Sequence, residues 1–446
     1  MSYNPRVQQA GVYIHIPFCE RKCTYCNFNT TDYFESLALR YIDAVKAEIG
    51  WWGQTLAEQE RERSQNGAGR VQIDTIYFGG GTPSIVEAEL LAGLVEACRA
   101  AFDVDSDAEV TIEINPATLA RPKLDAWLSA GINRASVGVQ SFIDRELVSL
   151  SRTHTADAAR RTLNLLREAG FANISLDLIA GLPEQSLADW KRNLREALEL
   201  RPEHLSLYLL EVKEGTQLFS QINRGQRPAP DDDLAAEMYR LTCEAARRSG
   251  YEQYEISNFA LLPGSAGVPP ASIDHQPGKA GVLPASPRAA ILTNCGPDAR
   301  APRVAGLESR ATGSLKSKHN LKYWTGEAFY GMGCGAHSYD GRSRWVNTFK
   351  TESYIEQVDT SGHAVAERHK LGIEERASEA LFMGLRLTEG VDLEAFRAEY
   401  EVDVLERYAC EFPELFDARL IELNKGRLML TEAGRLMSNE VFVHFV

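Results

Sequence analysis

The chain has 446 residues, 44% hydrophobic and 25% charged, with a formal net charge of −14 and an isoelectric point near 5.3. This is the composition of a soluble globular chain long enough for two domains, and no run of about 18 apolar residues is present, so no membrane-spanning helix is expected. The acidic balance argues against nucleic acid as a partner, because polyanion binding usually leaves a basic patch. The opening MSYNPRVQQAG lacks the apolar core of a signal peptide. Eight cysteines in so long a chain are then expected to stay reduced, in the cytoplasm, and not to build a disulfide framework.

In chain order, residues 12–16 alternate and are rich in β-formers, which predicts a first strand. Residues 37–49 carry apolar side chains at helical spacing, and the polar stretch 53–70 is a surface loop or a helix extension. Strand two, 71–78, runs into Gly79-Gly80-Gly81-Thr82-Pro83-Ser84 and a helix from about Glu87. Strands follow at 109–115, 134–141, 174–180 and 204–210, with helices at 123–130, 156–169 and 187–200 between them, the first two ending at the C-cap glycines Gly131 and Gly170. A helix at 234–248 and a short strand at 251–256 follow. Six strand–helix alternations imply parallel strands with right-handed crossovers, two units short of a closed eightfold barrel. The fold class is therefore α/β, a partial (β/α)6 barrel.

Residues 261–318 are rich in Gly, Pro, Ala and Ser and contain two near-copies, AGVPPAS and AGVLPAS. That composition buries little surface and predicts a disordered insertion at a loop, a functional lid being the less favoured alternative. His275 and Cys295 inside it are bystanders on this reading. Residues 319–370 form a connecting segment with HNLKYW and the glycine-rich YGMGCGAHSY. From 371 the pattern turns helical (374–386, 393–400, 404–410) and closes with two short strands around Asn424-Lys425-Gly426. This suggests a small winged-helix-like domain at 371–446, suited to packing or docking more than to reading DNA.

The chemistry is concentrated in Cys19, Cys23 and Cys26, spaced C-x3-C-x2-C directly after the first strand. Thiolates are soft ligands that favour zinc or iron–sulfur clusters. Zinc usually takes four protein ligands in a closed structural site, whereas three cysteines leave one iron of a [4Fe-4S] cube open to a small molecule. Cys98, Cys243, Cys295, Cys334 and Cys410 are scattered and expected to be packing residues. The cysteine loop, the triple glycine, Glu113 and Gln140 all fall at strand ends, with Asp177 inside a strand, so the polar motifs point to one rim of the barrel. The glycine turn would let a ligand approach the backbone, with N–H groups free to bind it.

YIHIPFC followed by this cysteine pattern resembles the radical S-adenosylmethionine (radical SAM) superfamily, in the branch that contains the oxygen-independent coproporphyrinogen dehydrogenases and the HemW heme chaperones. The resemblance covers 13–259 and 319 onward. It implies a [4Fe-4S] cluster on Cys19, Cys23 and Cys26 and SAM beside it, with Gly80, Gly81 and Thr82 near its amino group. The family words EINP, GVQS, LSRTH and LDLIAGLP place Glu113, Gln140, Arg152 and Asp177 on the SAM site, with Tyr13 packing near the adenine. The word HIPFC favours His15 near the cluster, in no named role. HNLKYW is similar to the HNxxYW word of the heme chaperones, which makes His319, Tyr323 and Trp324 the heme candidates, as imidazole is a common axial ligand. His337 and Cys334 are weaker ones.

Two departures separate the relatives. The dehydrogenases carry a fourth cysteine where this chain has Phe28, and a long arm ahead of the cluster where 18 residues precede Cys19. The expectation is a heme chaperone that binds heme and delivers it to hemoproteins such as respiratory cytochromes, with contact at membrane-bound recipients and homodimerisation left open. The alternative is oxidative decarboxylation of coproporphyrinogen III. Radical-SAM modification of tRNA is a third class that the acidic charge disfavours.

Overall fold

The computed structural model describes residues 9–63, 70–265, 273 and 314–445. Most of the insertion, with His275, Cys295 and both near-copies, lies outside the described residues.

Six parallel strands form the centre: β1 (Ala10–Ile16), β2 (Gln72–Gly80), β3 (Asp103–Ile114), β4 (Arg134–Gln140), β5 (Ile174–Ala180) and β6 (His204–Leu209). The helices between them are α1 (Glu35–Arg63), α2 (Ala88–Ala101), α3 (Arg121–Ala130), α4 (Ala156–Ala169) and α5 (Leu187–Glu199), and α6 (Asp232–Arg248) follows β6. Several ends are fixed as the sequence suggests. Gly131 and Gly170 adopt left-handed C-caps, Thr155 caps α4 through Ala158 N–H, and Ser186 and Asp189 form a capping box on α5.

The two faces of these strands carry different chemistry. Val12, Ile14 and Ile16 of β1, Ile76 and Phe78 of β2, Ile112 of β3 and Leu176 of β5 are fully buried in the main hydrophobic core. The alternate positions hold Tyr13, His15, Tyr77, Glu113, Ser136, Asp177 and Ser206. Parallel strands buried on both sides are normally apolar throughout; here the second face is polar because the barrel interior holds a site.

The segment expected to connect, 319–370, instead supplies sheet. After β7 (Tyr251–Gln253) and β8 (Asn258–Leu261) come α7 (Lys318–Thr325), β9 (Phe329–Met332), β10 (His337–Tyr339), β11 (Ser343–Asn347), α8 (Thr351–Ser361) and β12 (Val365–Lys370). β9 pairs parallel to β1, and β10, β11 and β12 extend that edge antiparallel. The sheet has twelve strands in the order β12-β11-β10-β9-β1-β2-β3-β4-β5-β6-β8-β7. The YGMGCG turn therefore starts as a strand: a Cβ on Gly331 would meet His337 O at 2.2 Å, so only glycine lets β9 and β10 approach this closely. Of the two alternatives for 53–70, residues 53–63 take the helix extension, because Leu56 is buried against the core within the otherwise polar stretch, as Trp52 is just before it.

The C-terminal unit begins with α9 (Ile373–Leu385) and has its own core, including Leu381, Leu385, Leu428 and Val441. Its three-stranded sheet joins Val391–Asp392, Arg427–Leu430 and Ile421–Asn424. It is tied to the barrel where Thr388 N–H donates to Tyr254 O (3.1 Å) and Thr388 Oγ1 donates to Gln253 O (3.0 Å). Among the described residues no helix is long and apolar enough to cross a membrane.

Candidate functional site

The cysteine loop leaves β1 and is closed at its neck. Phe18 and Cys19 pair with Thr31 and Asp32, and Thr31 N–H donates to Pro17 O at 2.8 Å. Inside, His15 Nε2 meets Asn29 O at 2.9 Å, and the Asn29 amide donates to Phe349 O (2.8 Å) and Cys334 O (3.3 Å). The glycine turn is locked to the same strand, Gly81 N–H to Ile16 O and Thr82 N–H to Phe18 O, both at 2.8 Å. Gly80 has φ +113°, and a Cβ there would lie 2.5 Å from the His15 ring. The Gly80→Ala variant is expected to lose about 1–3 kcal/mol of stability through left-handed strain and overpacking, read as a lower denaturant midpoint.

One cavity of about 1100 Å³ opens at this rim, and Cys19, Cys23, Cys26, Gly80, Gly81, Thr82, Glu113, Gln140, Arg152 and Asp177 all line it. Cys19 Sγ lies 3.5 Å from Thr82 Oγ1. Arg152 places Nη1 3.6 Å from Cys23 Sγ and donates from Nη2 to Gly138 O at 2.7 Å. Burial pushes the Cys19 and Cys26 thiols up, so a metal must displace their protons to bind. Among the described residues no three His, Cys, Asp or Glu side chains converge on a single ion. Three thiols around one cavity without a fourth ligand therefore suit an iron–sulfur centre better than a closed zinc site.

Beside the thiols stand the acceptors. Glu113 Oε1 accepts from Tyr77 OH (2.9 Å) and Oε2 from Gly80 N–H (3.1 Å). Its carboxyl is pushed up to about 7, first by burial and then by Asp177. Asp177, also raised by burial, accepts from Ser136 Oγ at 3.2 Å. The pair suits an ammonium group and sugar hydroxyls, with Arg152 available to a carboxylate. Gln140 ends β4 with φ +65°, a conformation non-glycine residues rarely take, and Gly138 leaves room for both its amide and Arg152.

The turn itself corrects one expectation. The N–H groups of Gly80, Gly81 and Thr82 are all spent within the protein, so the glycines contribute close approach and not free donors. Tyr13, expected near the adenine, is set back from the cavity on the same side of the sheet as Glu113. It does not line the cavity but packs against Tyr77 and His319, with ring centroids 6.2 and 6.4 Å away, and those two rings also stack on each other at 5.1 Å. The aromatic at the thiols is Tyr25, packed with Leu150, Ile179 and Leu182; its place between the second and third cysteines was the available signal.

The heme candidates lie elsewhere. His319 is 1% exposed, with Nδ1 2.8 Å from Thr75 Oγ1 and Nε2 3.0 Å from Tyr323 OH. Burial, then Lys322, lowers it to about 3. Both ring nitrogens are engaged and Tyr323 is turned to His319, so this conformation does not present the imidazole as an axial ligand. Trp324 does reach the cavity indirectly: its ring lies 4.3 Å from the guanidinium of Arg386, which lines it. Cys334 is buried in the turn that holds Asn29, and His337 begins β10; neither lines the cavity. The C-terminal wall (Arg386, Arg435, Leu436, Met437) was missed from sequence altogether.

Residues 13–197 match the radical SAM superfamily and residues 373–437 the HemN C-terminal domain. The chain is 32% identical to heme chaperone HemW of Bacillus subtilis over 98% of this chain and 99% of that one. It is 33% identical to the mitochondrial radical S-adenosyl methionine domain-containing protein 1 of Bos taurus, over 87% and 75%. Its fold is similar to that of the solved coproporphyrinogen III oxidase (HemN) of Escherichia coli, with a TM-score of 0.74 at 20% identity, covering 98% and 90% of the two chains. Thiol loop, glycine turn and acidic rim on a parallel half-barrel, together with end-to-end likeness to HemW, show that the chain belongs to the radical SAM superfamily and, within it, to the HemW family.

Proposed function

We propose that this protein is a heme chaperone of the cytoplasm that carries a [4Fe-4S] cluster and SAM and delivers heme to hemoproteins such as respiratory cytochromes. The observation that carries this reading is Phe28, which lines the cavity and is 61% exposed. It stands where the dehydrogenases of the resembled branch have a fourth cysteine, in a chain alignable end to end with a HemW.

Cys19, Cys23 and Cys26 would hold the cluster, which when bound would supply a coordination site for SAM and one-electron chemistry beside it. Gly80 and Gly81 give backbone access at that place, with Thr82 beside Cys19. Glu113 and Asp177 accept from the ligand's ammonium and hydroxyl groups, and Arg152 orients a carboxylate while its charge faces Cys23. Association with membrane-bound recipients and a homodimer belong to the same proposal.

The test is transfer. The reconstituted, heme-loaded protein is mixed with an apo-cytochrome, and the Soret band is followed. Heme should move to the cytochrome faster than from an equal concentration of albumin-bound heme. No movement, or movement no faster than from albumin, would overturn the delivery function.

A further inference from the structure

At about 1100 Å³ the cavity stands at the upper end of small-molecule pockets, and its lining runs from the thiols and the glycine turn to the C-terminal unit. Its outer half is built from two units. The barrel contributes Tyr208 at the end of β6, and the C-terminal unit contributes Arg386, Arg435 and Met437. Tyr208 is 42% exposed and Met437 47%; with Phe28 they place three large apolar side chains open on one cavity. Open apolar surface of this kind marks a binding site, and nothing in a thiol–acceptor site uses it.

Of the five arginines that line the cavity among the described residues (Arg21, Arg152, Arg240, Arg386 and Arg435), two stand out. Arg435 donates from Nη1 to Leu430 O at 3.1 Å, and its buried Nε has no hydrogen-bond partner among the described residues. Arg386 is held from two sides, by the Trp324 ring and by fully buried Glu255, whose Oε2 lies 3.6 Å from its Nη2; its Nε is likewise without a hydrogen-bond partner. Acidic groups line the cavity too. Glu211 is paired with Lys213, Asp232 and Asp233 lie in the first turn of α6, and Glu440 lies beyond Met437. The guanidinium fork remains the group suited to a carboxylate.

We infer that this outer half is the tetrapyrrole slot, in which Phe28, Tyr208 and Met437 meet the macrocycle and Arg386 and Arg435 bind its carboxylates. The inference rests on the heme reading above and deepens it. No histidine is among the described residues lining the cavity, so the grip is on the faces and the carboxylate edge of the ligand. Trp324 becomes a positioning residue: the HNxxYW helix acts on the slot through Arg386 and not by ligating iron.

The experiment titrates heme, followed by its Soret band, into the wild-type full chain and into Arg435→Gln, Arg386→Gln and Trp324→Leu, with heme dimethyl ester as a second probe. Arg435→Gln and Arg386→Gln should each weaken heme binding about tenfold or more, the range for a lost charge-assisted hydrogen bond. The ester should bind wild type weakly and be indifferent to Arg435→Gln. Trp324→Leu should weaken heme binding alone and add little on top of Arg386→Gln. Reconstituted iron content should not change. If Arg386→Gln does not fold, Arg435→Gln decides, since among the described residues Arg435 has no ion pair across the domains. Wild-type affinity in Arg435→Gln, or equal affinity for acid and ester, would overturn the slot while leaving the chaperone reading intact. No heme uptake by wild type would overturn both.

Discussion

Serine at position 19, 23 or 26 should abolish iron and sulfide retention after anaerobic reconstitution, while Cys98→Ser and Cys410→Ser should retain both at the wild-type level. The contrast follows from placement. The first three thiols line one cavity, whereas Cys98 is fully buried between helices and Cys410 is exposed elsewhere. Serine oxygen is a hard donor with a far higher pKa, and it does not replace a soft thiolate on iron. If these three are the cluster's protein ligands, as proposed, loss of any one removes a third of the anchoring. The expected result is therefore near-complete loss in each single variant, with the visible cluster absorption and the chemical iron assay as readouts. Retention of a full cluster in Cys23→Ser would remove Cys23 from the ligand set.

The second large effect is a pH dependence of stability set by Glu48. This carboxyl is fully buried on α1. Tyr354 OH (2.6 Å) and Gly333 N–H (2.8 Å) donate to Oε2, and the Asn347 amide donates to Oε1 (2.7 Å). It thereby pins the far edge of the sheet and α8 to α1. Burial raises it to about 7 in spite of those bonds. A folded-state value above the unfolded one means that stability is fully present below the unfolded value of about 4.3–4.5. It is lost progressively as pH rises, up to about 7. Over that window the loss is on the order of 3 kcal/mol, at about 1.4 kcal/mol per unit. Glu113, Asp177, Glu203 and Glu255 are raised by burial as well and act in the same direction. Wild-type denaturant midpoints should therefore fall from pH 5 to pH 8. Glu48→Gln should show a visibly shallower fall, gaining on wild type by about 2–3 kcal/mol between the two pH values. Parallel pH profiles for the two proteins would show that Glu48 stays ionised in its pocket.

Much of this was legible because the barrel repeats one rule. Apolar strands, helices with end signals and polar residues at strand ends made 156–169 and 174–180 readable to the residue, and gathered Cys19, Gly80, Glu113, Gln140 and Asp177 on one rim before any coordinates. What was not legible depends on long-range contacts. β9, β10 and β11 are only three to five residues long, and their strand character comes from pairing: β9 on β1, some 300 residues earlier in the chain, β10 on β9 and β11 on β10. The choice between loop and helix extension after residue 53 depends on Leu56 finding the core from a charged stretch. Tyr13 and His319 carried family words, yet their side chains turn into the packed barrel interior, a matter of register that a motif does not encode. Arg386, Arg435 and Met437 reach the cavity only because the C-terminal unit docks on 253–255 through Arg386 and Thr388, and no local pattern announces that.

On the proposed function this half-barrel handles finished heme and not its precursor. The most direct measurement is an anaerobic incubation of the reconstituted protein with coproporphyrinogen III, SAM and a reductant, run beside a heme titration of the same preparation. Saturable heme binding with no protoporphyrinogen formed is the result expected. Turnover to protoporphyrinogen would show that Phe28 does not exclude the decarboxylation, and the protein would then be an enzyme of tetrapyrrole synthesis.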